Sequence, residues 1–192
     1  MLAADFLHLE KDVELVNNYA DIFHLDIMDG TFVPNISYGF PIVEAIAKIA
    51  RKPLDAHLMI VHPEKYVDRF AKAGVQMLSF HLNAVDNAGQ VLAQIRAAGM
   101  SPGLAINPDI PVEKLFPYLD QCDYVVLMSV FAGFGGQKFI EATYDRLAAV
   151  KAEVERQGVS CHIQVDGGVS AANSGKLAEL GADILVAGSA VF

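Results

Sequence analysis

An alternation of short apolar runs with amphipathic segments constrains the fold of this chain more than any other feature. Six helical segments with apolar residues at helical spacing lie among seven runs, which span residues 22–28, 54–60, 77–82, 103–106, 124–130, 162–165 and 184–187. A glycine follows four of the helical segments, as is typical of a helix C-terminus: Gly74, Gly99, Gly158 and Gly181. This repeat predicts parallel strands joined by right-handed helical crossovers.

Polar side chains near the ends of the apolar runs distinguish two kinds of parallel sheet. These markers are Asp26, His57, His81, Asn107, Ser129, Asp166 and Ser189. An open doubly wound sheet gathers such residues at one switch point, whereas a barrel surrounds one site with the ends of all its strands. We therefore predict a (β/α)8 TIM barrel in which residues 1–6 are the tail of an eighth strand. Because no linker or charge block interrupts the pattern, we expect residues 1–192 to form a single domain.

Composition narrows the classes of partner. Hydrophobic residues make up 53% of the chain, enough for a large core, and the formal net charge of −9 argues against a general nucleic-acid surface. Asp5 and His8 interrupt any signal-peptide pattern, and no apolar run is long enough for a membrane span. Cys122 and Cys161 form no CxxC pair, which indicates free thiols in a reducing compartment. We expect a cytoplasmic protein that acts on a small molecule.

The run around residue 26 carries the first chemical signal. Period-two alternation places His24, Asp26 and Met28 on one face of a strand, and Leu25 and Ile27 on the other. If Leu25 and Ile27 pack against helices, His24 and Asp26 point into the barrel, where a carboxylate needs a compensating partner. A cation and simple hydrogen bonding are equally good explanations for this strand alone.

Two further residues favour the cation. His57 lies on the next strand, and Asp166 enters from the opposite wall, so two imidazoles and two carboxylates converge at one barrel mouth. This donor set is typical of Zn²⁺ or a similar divalent ion. His81 also faces inward, and we interpret it as a structural or supporting group because four ligands are already present.

Glycines follow the last three apolar runs and predict a phosphate site. A glycine-rich loop alone is more often a tight turn, but barrels commonly bind phosphate at the loops after their last two strands. Residues without Cβ let backbone N–H groups approach an anion closely. The candidates are Gly133, Gly135, Gly136, Gly167, Gly168, Gly188 and Ser189.

Several of these motifs together resemble the ribulose-phosphate 3-epimerase family along essentially the whole chain. They are residues 24–30, 32–35, 57–59, 128–130, 133–137, 165–169 and 186–190. The resemblance implies an isomerase of the pentose phosphate pathway that interconverts D-ribulose 5-phosphate and D-xylulose 5-phosphate through an enediolate. It also implies a homo-oligomer.

The resemblance also assigns roles to residues. It implies that His24, Asp26, His57 and Asp166 hold a divalent metal, commonly zinc, with Fe²⁺, Mn²⁺ or Co²⁺ as alternatives. Asp26 and Asp166 would be the acid/base pair at C3 of the substrate. Side chains that would contact the substrate are His57, Met28, Met59 and Met128, and its phosphate would lie on the backbone amides of the glycine motifs named above.

This sequence departs from the family pattern in three ways. The family usually has Pro-Ser upstream of residues 2–6 and a further helix after residue 192, so we expect an incomplete first strand, a missing last helix and a longer natural protein. It also usually has proline, preceded by Asn, Asp or Glu, where this chain has Phe131 and Ala132. That difference predicts a loop of altered rigidity over the substrate.

Three alternative functions stay open. A hexulose-phosphate 3-epimerase, such as the allulose-6-phosphate enzyme, would share the metal site, but the glycine pairs at 135–136 and 167–168 favour the pentulose enzyme. A catalytically weakened barrel could serve as a binding module, which retention of all four ligands disfavours. A metal-free decarboxylase would need a strand-end lysine, and none of the markers is lysine.

Overall fold

The computed structural model describes residues 1–192, which build one parallel sheet of seven strands in chain order. The strands are β1 Phe23–Met28, β2 Leu54–Met59, β3 Met77–His81, β4 Ser101–Ile106, β5 Tyr124–Met128, β6 His162–Asp166 and β7 Ile184–Val186. Each overlaps one of the seven predicted runs. The predicted alternation of parallel strands and helices is therefore confirmed.

Helices cover the outer face of the sheet. They are α1 Leu9–Tyr19, α2 Phe40–Ile49, α3 Val67–Lys72, α4 Ala88–Ala97, α5 Thr143–Gln157 and α6 Ser174–Glu179. Between β4 and β5 an α-helix is replaced by two 3-10 helices, Val112–Lys114 and Phe116–Tyr118. Pro117 lacks the N–H group that an α-helix continuing across both segments would need at that position. None of the helices has both the length and the apolar character needed to cross a bilayer.

The two faces of the strands differ in chemistry, as the alternation predicts. On β1, Phe23, Leu25 and Ile27 belong to a cluster of 39 buried hydrophobic residues that also includes Val13 of α1 and Val43 of α2. The main hydrophobic core therefore lies between the sheet and the helices. The opposite face of each strand points into the barrel, where the polar residues gather.

Strand β4 begins two residues earlier than predicted and includes Pro102. The N–H of Ser101 donates to the carbonyl of Gln76, and the carbonyl of Pro102 accepts from the N–H of Asp123. Pro102 therefore contributes its carbonyl to the sheet, and its missing N–H interrupts neither of these bonds.

The prediction of an incomplete first strand is confirmed, but residues 1–6 do not form even the predicted tail of that strand. The backbone nitrogen of Met1 bonds to β1, donating to the carbonyl of His24 at 2.8 Å. The N–H of Ala4 then bonds back to the carbonyl of Met1, and the Asp5 carboxylate accepts from the N–H of Leu7, so this segment forms turns. Because β7 does not pair with β1, the fold is a (β/α)8 barrel with an incomplete wall.

A glycine and a tyrosine fit together inside the barrel. Gly103 of β4 pairs in register with Tyr124 of β5, whose ring is fully buried. A Cβ on Gly103 would lie 2.4 Å from Cζ of that ring. The Tyr124 hydroxyl donates to Asp55 at 2.6 Å, which restricts any movement of the ring away from β4.

We expect Gly103→Ala to destabilise the fold by about 1–3 kcal/mol because it overpacks this contact. Urea unfolding followed by circular dichroism should show a lower midpoint with an unchanged slope. Gly175→Ala in α6 is the matched control, since the added methyl group would meet nothing within 4 Å beyond its chain neighbours and the backbone of its own helix, and alanine favours helix. Equal midpoints for Gly103→Ala and the wild type would contradict the close contact.

Candidate functional site

Four predicted ligand residues meet inside the barrel, on the inward faces of three strands. His24 and Asp26 come from β1, His57 from β2 and Asp166 from β6, and one ligand atom from each lies within 4.8 Å of all the others. Asp26 and His57 are direct neighbours in the β1–β2 register. His24 Nε2 lies 3.5 Å from an oxygen of Asp26 and 3.5 Å from one of Asp166, and His57 Nδ1 lies 3.5 Å from the same oxygen of Asp166.

The donor atoms of this cluster fit a divalent metal. His24 Nε2 and His57 Nδ1 are buried and have no hydrogen-bond partner. With metal–ligand bonds of about 2.0–2.2 Å, neighbouring atoms of a tetrahedral site are roughly 3.3–3.6 Å apart. Three of the observed separations, each 3.5 Å, match that spacing, and all four ligand atoms lie within 4.8 Å of one another. Two nitrogens and two carboxylate oxygens therefore surround a point where a cation would satisfy all four residues.

Electrostatics within the cluster favour negative charge on Asp166. Burial alone would raise the pKa of Asp166, but the neighbouring imidazoles of His24 and His57 hold that pKa well below its usual range. Burial lowers the pKa of His24, but the charges of Asp26 and Asp55 outweigh it, so the net pKa is raised. The cluster thus stabilises positive charge at its centre.

Asp55 is a buried carboxylate that the sequence analysis missed. Its oxygens accept hydrogen bonds from His24 Nδ1 at 2.8 Å, from the Tyr124 hydroxyl at 2.6 Å and from Gln164 Nε2 at 3.0 Å. In the neutral imidazole, which is the form that binds a metal, a proton on Nδ1 leaves the Nε2 lone pair of His24 directed at the cluster. Period-two alternation was the signal that could have identified Asp55. It lies two residues before His57 on β2, so both side chains face the interior of the barrel.

His81 lies behind His57 rather than in the cluster. The two Nε2 atoms are 3.0 Å apart, and both side chains are fully buried. Burial, followed by the charge of His57, lowers the pKa of His81 far below its ordinary value, so His81 is neutral. A neutral His81 can accept a hydrogen bond from the Nε2–H of His57, which leaves Nδ1 of His57 free to act as a ligand.

A cavity of about 920 Å³ opens beside the cluster. Asp26 and Asp166 line it, whereas His24 and His57 do not, and His57 is fully buried. All the other predicted substrate contacts line the same cavity: Met28, Met59, Met128, Gly133, Gly135, Gly136, Gly167, Gly168, Gly188 and Ser189.

The glycine pair after β6 allows two loops to touch. Gly168 has φ +62°, and a Cβ there would lie 2.7 Å from the backbone nitrogen of Phe139. Ser129 Oγ supports the same turn from β5, at 2.8 Å from the carbonyl of Asp166 and 2.5 Å from that of Gly167. The loops after β5 and β6 therefore form one continuous wall of the cavity.

Lys138 is a second residue that the sequence analysis missed. It is the only lysine or arginine that lines the cavity. The salt bridges formed by lysine and arginine involve other residues, so Lys138 has no carboxylate partner. Its position directly after the glycine motif at 133–137 was the available signal.

Comparisons with known proteins agree with this architecture. A 44% identical protein is the ribulose-phosphate 3-epimerase of Synechocystis sp., with 100% of this chain and 85% of the relative covered. The enzyme of the same name from Bacillus subtilis is 42% identical over 100% of this chain and 89% of its own. A mutant tryptophan synthase alpha-subunit from Pyrococcus furiosus shares the fold, with a TM-score of 0.75 over 97% of this chain and 83% of that one, at 19% identity.

The sequence profile of the Ribulose-phosphate 3 epimerase family matches residues 1–192 in full. The Synechocystis and Bacillus relatives carry the name of an isomerase, and the whole chain aligns with both. The cluster, the cavity and these two results lead to one conclusion: this chain is an isomerase that belongs to the ribulose-phosphate 3-epimerase family.

Proposed function

We propose that this chain interconverts D-ribulose 5-phosphate and D-xylulose 5-phosphate by exchanging the proton at C3 between Asp26 and Asp166. The observation that carries this proposal is the pair of carboxylates that reach one cavity from β1 and β6, with His24 Nε2 lying 3.5 Å from both. The names of the relatives identify the substrate class.

Two carboxylates suit this chemistry because inversion at a carbon removes a proton on one face and returns one on the other. A single base held by a rigid strand does not reach both faces. Asp166, whose pKa is held low, is ionised, which is the form in which a carboxylate can act as a base. The direction of the reaction decides which aspartate acts as the base and which as the acid.

His24, Asp26, His57 and Asp166 would hold the metal, and we propose Zn²⁺, with Fe²⁺, Mn²⁺ or Co²⁺ able to use the same donors. When bound, such an ion stabilises the negative charge that develops on the substrate oxygens in the enediolate. Asp55 and His81 orient the two imidazoles through their hydrogen bonds. The side chains of Met28, Met59 and Met128 provide the apolar part of the cavity wall.

The phosphate would bind at the other end of the cavity, on the glycine motifs and Lys138. Gly135, Gly136, Gly168 and Gly188 bring backbone to the cavity surface without a side chain in the way. Lys138 supplies a positive charge to a cavity whose two carboxylates would otherwise repel a dianion.

Replacing either aspartate with asparagine should lower turnover by about 10²–10⁴-fold, because each variant lacks one proton-transfer group. Conversion of ribulose 5-phosphate and deuterium exchange at C3 are the measurements, with metal content and circular dichroism measured in parallel. Asp21→Asn, at an exposed position before β1, is the control and should keep full activity. Near-normal turnover by Asp26→Asn or Asp166→Asn would refute the two-carboxylate mechanism.

The purified protein should contain about one divalent ion per chain, and a strong chelator should remove the ion and the activity together. Elemental analysis before and after dialysis measures this. His57→Ala should lose the metal, because a buried ligand is removed, whereas His162→Ala, at an exposed position of β6, should keep it. Full activity in metal-free protein would rule out the metal-dependent form of the mechanism.

Lys138→Met should raise KM for ribulose 5-phosphate about tenfold or more, the effect expected for losing a charged contact with the phosphate. Steady-state kinetics at two salt concentrations test this, because the effect should shrink as salt screens the charge. Lys48→Met, in the last turn of α2 at the far end of the barrel, is the matched control. An unchanged KM would mean that backbone groups alone bind the phosphate.

A further inference from the structure

Residues 131–137, called the glycine loop below, form one side of the cavity and contain three glycines. Gly133 has φ +125° and Gly136 has φ +71°, both in the region that favours glycine. Glycine has more accessible backbone conformations than any other residue. The loop therefore needs contacts beyond its own backbone to keep one shape.

One such contact closes the loop on itself. Gln137 Nε2 donates to the carbonyl of Phe131 at 2.7 Å and to that of Phe134 at 2.8 Å. These bonds fix the curvature of the loop but do not attach it to the barrel. Its position over the cavity is set by something else.

Two asparagines attach the glycine loop to neighbouring strands. Asn107 Oδ1, directly after β4, accepts from the N–H of Ala132 at 3.1 Å. On the other side, Asn35 Nδ2 donates to the carbonyl of Gly133 at 2.9 Å. The side chains come from segments after β4 and β1, so the loop is held from two directions.

Arg146 fixes the backbone of Asn107 in turn. From α5, its guanidinium donates to the carbonyls of Asn107 at 2.9 Å, Ile110 at 3.1 Å and Met128 at 3.3 Å. It takes part in no salt bridge, so these carbonyls are its partners. The ends of β4 and β5 are thereby tied to one helix, and Asn107 is a rigid point of attachment.

We propose that Asn107 is a positioning residue for substrate binding: through the N–H of Ala132, its side-chain oxygen holds the glycine loop where its backbone amides receive the phosphate. The identity of the bound group rests on the proposed function, whereas the attachment of the loop does not. The role depends on alanine at position 132, because a proline there would have no N–H to donate.

The first test compares Asn107→Ala, which removes the acceptor, with Asn107→Asp, which keeps an oxygen in the same place. Asn107→Ala should raise KM for ribulose 5-phosphate about three- to tenfold with kcat changed less than twofold, as expected for one lost hydrogen bond. Asn107→Asp should stay within about twofold of the wild type. Asn83→Ala, at an exposed position just after β3, is the matched control. A KM for Asn107→Asp as high as that for Asn107→Ala would overturn the proposal.

Hydrogen–deuterium exchange gives a readout that does not depend on turnover. Peptides covering residues 131–137 should exchange faster in Asn107→Ala than in the wild type, and at the wild-type rate in Asn107→Asp and Asn83→Ala. Unchanged exchange in Asn107→Ala would overturn the attachment. If the wild type does not convert ribulose 5-phosphate, the proposed function fails, and weaker binding of inorganic phosphate by Asn107→Ala then decides the positioning role.

Ala132→Pro tests the same bond from the donor side and also serves if Asn107→Ala folds poorly. It should speed exchange of the loop and raise KM. Added to Asn107→Ala, it should raise KM no further, since the bond is already lost. Effects that multiply in the double variant would show that the two residues act independently and would overturn the proposal.

Discussion

The rest of the structure depends on a compensation of charge inside the barrel. Asp26, Asp55 and Asp166 are carboxylates on inward faces of the strands, where an unpaired charge is costly. Asp55 accepts hydrogen bonds from His24, Tyr124 and Gln164, which satisfy its carboxylate. Asp26 and Asp166 instead lie beside His24 and His57, each of which has one buried ring nitrogen without a hydrogen-bond partner. The fully satisfied carboxylate is structural, and the incompletely satisfied group is where a cation fits and where we propose that the substrate reacts.

Most of the fold could be predicted from the sequence because the signals are local. The strand period of two correctly separated Leu25 and Ile27, which pack under the helices, from His24 and Asp26, which face inward. Residues 1–6 were mispredicted because an apolar composition is shared by strand ends and by turns. Only the side-chain bond of Asp5 and the backbone bonds around it distinguish the two, and neither is visible as a pattern.

The candidate site could be predicted where residues mark strand ends, and less well elsewhere. Asp55 lies two residues before His57 on β2, further from the C-terminal end of the strand. Polar residues were sought at strand ends, so Asp55 was not identified. The bond between Asn107 and Ala132 joins a side chain to a backbone group across two strands, and no spacing in the sequence specifies such a pair. Residues that support a site are therefore harder to identify from sequence than residues that form it.

The close fit of Gly103 against Tyr124 has a consequence for how this barrel can diverge. A larger residue at 103 has no room until the ring at 124 has become smaller, because the ring occupies the space of the missing side chain. Loss of the ring would at the same time remove a hydrogen bond to Asp55. Substitutions at these two positions can therefore accumulate in only one order, with Tyr124 replaced by a smaller residue before Gly103 is replaced by a larger one. The intermediate with only the first substitution has a less stable, underpacked core until the second fills the space.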